Sequence, residues 1–74
     1  MQSISVGESV QITSINEGEP AYRAKLLALG LLPGTRFKLI RRAPLGDPLE
    51  IQVRGYRLSL RKREAALLQV EKVS

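Results

Sequence analysis

The order of apolar and polar positions divides the chain into short alternating segments around one helical stretch. In residues 8–15, Val10 and Ile12 alternate with Gln11 and Thr13, the period-two signature of a half-buried strand. Asn16-Glu17-Gly18 ends it, because Asn and Gly both suit turns. From Pro20 the period changes: Tyr22, Leu26 and Leu29 recur at i, i+4 and i+7, while Arg23 and Lys25 fall off that stripe. Ala21, Ala24 and Ala28 add helix propensity, and Pro20 suits a first turn, where its missing N–H has no intrahelical partner to lose. A helix over about 20–29 is predicted. Gly30 is placed to stop it as a left-handed C′ residue, with Leu31 packing back on Leu26 in a Schellman motif and Pro33-Gly34 turning the chain.

Alternation returns at 36–42, where Phe37 and Leu39 face one way and Arg36, Lys38 and Arg42 the other. The following loop, Ala43-Pro44-Leu45-Gly46-Asp47-Pro48, carries two prolines that cannot donate to a ladder, so it is stiff for its length. Residues 49–60 give the clearest register. Folded at Arg54-Gly55, they pair Val53 with Tyr56, Ile51 with Leu58 and Leu49 with Leu60 on one apolar face. The other face then holds Gln52 with Arg57 and Glu50 with Ser59. A short helical turn is expected near 61–66 and a last strand over 67–71.

Five short strands with one helix inserted between the first two predict a mostly β fold, a small SH3-like barrel closed on itself. Its inward set is Val10, Ile12, Phe37, Leu39, Leu49, Ile51, Val53, Tyr56, Leu58, Leu60, Leu68 and Val70, with the helix capping one end through Leu26 and Leu29. With 74 residues the chain is expected to build one domain over 1–74.

Composition narrows the chemistry. With no Cys and no His, disulfides, thiolate and imidazole metal sites, and Cys- or His-based catalysis are excluded. No phosphate-binding glycine motif or dinucleotide fingerprint occurs, and the glycines at 30 and 34 sit at a helix exit, whereas phosphate cradles lie at helix entrances. No catalytic residue, metal ligand or cofactor is therefore assigned, and the expectation is a binding module without enzyme activity. The opening MQSISVGESV lacks the basic and apolar regions of a secretory signal, and the most apolar stretch, residues 26–32, is far below the ~20 residues of a spanning helix. A cytoplasmic location is expected. The net charge of +5 suits an acidic or anionic partner.

Two segments, residues 22–34 (YRAKLLALGLLPG) and 41–48 (RRAPLGDP), together with Arg54-Gly55-Tyr56 running into Leu58-Ser59-Leu60-Arg61, resemble the ferrous iron transport protein A (FeoA) family over nearly the whole chain. The resemblance implies an SH3-like fold and a role beside FeoB, a membrane protein with a cytosolic GTPase domain that carries ferrous iron inward. It places the chain at the inner membrane peripherally, through its partner alone. A related domain ends some iron-dependent repressors, but no DNA-binding or metal-sensing segment precedes this one, so the transport accessory is expected.

Three features are candidates for partner contact. Leu27, Leu31 and Leu32 at the helix exit are expected to be partly exposed, as an apolar patch for a partner helix or for weak self-association. The loop residues Pro44, Leu45, Gly46 and Asp47 present an exposed leucine between two prolines. Asp47 reads as a turn residue rather than an iron ligand, since it stands alone. The basic residues Arg54, Arg57, Arg61, Lys62 and Arg63 read first as a solvated face, and otherwise as a surface, with Arg57 and Arg61 foremost, for an acidic face of a GTPase domain or the anionic inner leaflet. The alternative is a basic adaptor for RNA, which the scarcity of aromatic residues for base stacking disfavours.

Overall fold

A computed structural model of the chain describes residues 4–73. Its elements follow the hydropathy pattern closely: β1 (Ser9–Ile15), α1 (Pro20–Ala28), β2 (Arg36–Arg42), β3 (Leu49–Val53), β4 (Tyr56–Leu60), α2 (Lys62–Ala65) and β5 (Leu68–Lys72). All strands are antiparallel in one sheet of order β4-β3-β2-β1-β5. The hairpin register is the expected one, Leu49 opposite Leu60, Ile51 opposite Leu58 and Val53 opposite Tyr56. Its turn works because Arg54 and Gly55 both take positive φ, 48° and 88°, which matches the twist of a two-residue hairpin.

The sheet is not closed into a barrel. β4 and β5 are its two edges: α2 carries the chain away from the β4 edge to the far side of β1, where β5 pairs with β1 alone. The exposed edges that closure would have removed therefore remain on both sides.

Val10, Ile12, Leu26, Phe37, Leu39, Leu49, Ile51, Val53, Leu60 and Leu68 form the buried cluster, with Leu29, Leu58 and Val70 packed at its border. Ile4, Leu31 and Ala65 join them. Tyr56 departs from the expected inward set at 43% exposed. It faces the inner side of the sheet opposite the buried Val53, but β4 is an edge strand, so no further strand flanks it on its outer side.

Candidate partner-binding face

The helix exit is built from its backbone. Leu29 closes α1, the Gly30 N–H donates to Leu27 O and the Leu31 N–H to Leu26 O, both at 3.0 Å, with Gly30 at φ +82°. These are the two hydrogen bonds of a Schellman motif, and its apolar contact draws Leu31 inward. Leu31 is fully buried beside Leu26 in the core cluster. That corrects its expected place in an exposed patch: the motif that ends the helix uses Leu31 as its anchor. Leu27 and Leu32 do reach the surface, at 38% and 46% exposed.

Thr35 locks the segment after the helix. Its hydroxyl donates to Gly30 O at 3.2 Å and accepts from the Leu32 N–H at 3.3 Å, while its own N–H donates to Leu32 O at 2.9 Å. The Gly34 N–H donates to Ile12 O at 2.7 Å and the Ile12 N–H to Thr35 O at 2.8 Å, so β1 holds this turn from the other side. Leu32 is presented by a fixed loop.

Residues 43–48 form a turn in which the Gly46 N–H donates to Ala43 O at 2.7 Å and the Ala43 N–H to Pro48 O at 3.1 Å. Pro44 and Leu45 take the central positions, and Gly46 follows at φ +83°. Leu45 stands at the tip, 94% exposed. Asp47 Oδ1 accepts from the Lys62 N–H at 3.0 Å, so the carboxylate satisfies an orphan donor at the start of α2 instead of closing a local turn.

α2 is tied in turn to α1. Glu64, 3% exposed, accepts the Arg61 N–H on Oε1 at 2.9 Å and meets Lys25 Nζ on Oε2 at 2.8 Å. Burial opposes ionisation of this carboxyl, but the Lys25 side chain and the Arg61 amide outweigh it and hold the group below its ordinary value. The Tyr56 hydroxyl donates to Leu29 O at 3.1 Å, joining the hairpin to the same helix exit. The Leu45 loop and the Leu27–Leu32 exit thus hang on one braced frame, although they line separate surfaces. Leu27 borders a shallow groove with Glu17, Gly18, Pro20, Arg23 and Ala24, whereas Asp47 borders a polar depression with Tyr22, Arg61 and Arg63.

The basic run likewise divides. Arg61 and Arg63 lie by Tyr22 and Asp47, while Arg57 stands opposite Gln52 on the outer face of the hairpin. Among the described residues, no group of three or more His, Cys, Asp or Glu is placed to hold a metal ion, and no helix is long and apolar enough to cross a membrane. The braces themselves, Thr35, Glu64 and the Tyr56 hydroxyl, were not legible as such. Only the i, i+3 spacing of Arg61 and Glu64 at a helix start hinted at one of them.

Residues 1–72 match the family model described as the FeoA domain. Over all 74 residues the chain is 30% identical to an Fe(2+) transport protein A/Fe(2+) transporter FeoB fusion protein of Porphyromonas gingivalis, of whose length it spans 9%. Among solved structures it is similar to the FeoA-like protein of Clostridium acetobutylicum, at 35% identity and TM-score 0.86, covering 97% of this chain and 83% of that one. It is also similar to the zinc complex of Stenotrophomonas maltophilia FeoA, described as an SH3 domain protein, at 27% identity and TM-score 0.78, covering 92% and 84% of the two chains.

Proposed function

The chain belongs to the FeoA family, and from that membership we propose that it is a non-catalytic accessory of ferrous iron transport that binds a FeoB-type transporter on its cytosolic side and modulates its activity. The observation that carries this reading is the fusion relative, in which a segment 30% identical to this chain is one polypeptide with a FeoB transporter. Covalent joining gives two modules a high effective concentration, an arrangement that serves partners which act together.

Contact is made through Leu45 and through Leu27 and Leu32, with Pro44, Gly46 and Asp47 setting the loop's shape and Arg57 and Arg61 aiding encounter with an acidic face. Leu45 supports this role because a leucine 94% exposed on a stiff turn contributes nothing to the fold's own core. To modulate the transporter the domain must bind one of its states better than another; a tenfold bias corresponds to about 1.4 kcal/mol, within the worth of burying one leucine. An RNA adaptor is disfavoured because aromatic residues are few: Phe37 is buried, and Tyr56 lies on the inner side of the sheet with its hydroxyl on Leu29 O, which leaves Tyr22 as a single ring beside Arg61 and Arg63.

The test is binding of purified FeoB-type transporter in detergent to the immobilised protein, comparing wild type with Leu45→Asp and Leu27→Gln. Saturable wild-type binding that either change weakens tenfold or more supports the reading. Equal binding by both folded variants removes these leucines, and no wild-type binding with or without nucleotide removes the proposal.

A further inference from the structure

The register collects basic side chains on the outer face of the sheet. Ser9 lies opposite Lys38, Lys38 opposite Gln52 and Gln52 opposite Arg57, forming one row across four strands spaced about 4.8 Å apart. Arg36 stands in the next row opposite Gln11, and Arg54 at the hairpin turn shares a shallow depression with Arg36, Lys38 and Gln52. Four cations therefore occupy one polar, nearly flat area. The carboxylates of that face do not neutralise it: Glu50 is held by Arg41 at 2.9 Å, and Glu71 lies beyond Gln11, two strands from Arg36.

We infer that this outer face, carrying Arg36, Lys38, Arg54 and Arg57, is a docking surface for an anionic lipid bilayer. Charge complementarity selects the occupant. Point charges on long flexible stems, spread over a flat area without an aromatic or leucine anchor, lack the buried centre that tight protein interfaces use. A nucleic-acid strand would need a groove and stacking rings; Phe37, among these cations, is buried, and Tyr56, next to Arg57 in the chain, lies on the opposite face of the sheet. A surface of mobile anionic headgroups needs neither, because it arranges itself around the cations. The sequence reading expects membrane contact through the partner, from the lack of a spanning segment, with the anionic leaflet one alternative for the basic run at 54–63; the sheet face adds a direct, salt-sensitive route. This deepens the proposed role and rests on it for a reason to lie at a membrane, but the assay below contains no transporter, so failure of one is distinguishable from failure of the other.

The test is flotation of the full chain with phosphatidylglycerol vesicles and with phosphatidylcholine vesicles. The expected result is binding to the first only, lost at about 0.5 M salt, where the screening length is about 4 Å. Removing two cations of the face, in Arg36→Gln/Lys38→Gln, is expected to weaken binding about 25-fold, since each is worth about fivefold near an anionic surface. Arg54→Gln/Arg57→Gln repeats the measurement on the other half of the face should the first pair disturb the fold. Arg23→Gln/Arg63→Gln removes the same charge from the helices and is expected to change binding less than threefold. Equal losses in the face and helix variants, no binding to phosphatidylglycerol, or tighter binding to a single-stranded oligonucleotide at the same salt would each overturn the inference.

Discussion

Lys25 of α1 and Glu64 of α2 meet at 2.8 Å, with the carboxylate 4% exposed and the ammonium about half exposed. Their positions are asymmetric, and so are their energies. Lys25 can be hydrated when its partner is gone, whereas Glu64 is buried and also holds the Arg61 N–H. Lys25→Met should therefore be the costlier change, at about 3 kcal/mol, since it leaves a buried carboxylate without its counter-charge, while Glu64→Ala should cost about 1.5–2 kcal/mol, since it strands one amide and leaves a void. Urea unfolding of the two variants checks the order, and a larger loss for Glu64→Ala would contradict it.

The same carboxyl sets an acid limit. Glu64 is held below its ordinary value of about 4.5, so folding favours its ionised form. Its contribution is complete above the unfolded value and is lost as pH falls through the lowered folded one. The melting temperature of wild type should fall below about pH 4.5 more steeply than that of Glu64→Gln, which starts lower at neutral pH and has no such proton to bind. Parallel acid limbs would show that other carboxylates dominate.

Much of the fold could be read before any coordinate, because the relevant signals are local. Alternation at Phe37 and Leu39, the paired apolar set of residues 49–60 and the Gly30 stop each depend on neighbours in sequence. Leu31 has two readings in the sequence, the Schellman residue packed on Leu26 and a member of an exposed patch, and the Schellman hydrogen bonds that turn it under bear out the first and correct the second. Barrel closure was not legible, since whether β5 reaches β4 depends on where α2 delivers the chain. Nor were the braces, for Asp47 to Lys62 and Tyr56 to Leu29 join residues 15 and 27 apart with no sequence pattern between them.

Gly30 tests how much the helix exit depends on one residue. A Cβ there would meet nothing closer than the Tyr56 hydroxyl at 4.0 Å, so space is available and only the backbone at φ +82° resists. Gly30→Ala should cost about 1–2 kcal/mol, the penalty for an L-residue in the left-handed region. Gly30→Asn should cost less, because asparagine tolerates that region. Thermal unfolding of both variants measures the difference, and equal losses would point to a steric cause instead.

Tyr56 is the hairpin's hold on the same exit. Tyr56→Phe keeps the ring and removes only the donor to Leu29 O, which can still reach water at this half-exposed site. The expected global cost is about 0.5–1 kcal/mol. Faster hydrogen exchange at the Gly30 and Leu31 amides, with that of the β2–β3 ladder unchanged, would locate the effect. A uniform increase throughout the chain would show that this bond supports global stability and not the exit alone.

Asp47 and Leu45 sit two residues apart in one loop, yet they should separate stability from partner contact. Asp47→Ala removes the acceptor of the Lys62 N–H and should cost about 0.5–2 kcal/mol, as loss of a helix cap does. Leu45→Asp changes a side chain that is 94% exposed and should move stability by no more than about 0.5 kcal/mol. Transporter binding should show the reverse order, with Leu45→Asp removing the contact itself while Asp47→Ala only loosens the loop that presents it. Raising the transporter concentration should then restore binding to Asp47→Ala before Leu45→Asp. If Leu45→Asp instead unfolds the protein, the exposed leucine belongs to the fold, and the loop loses its claim as a docking tip.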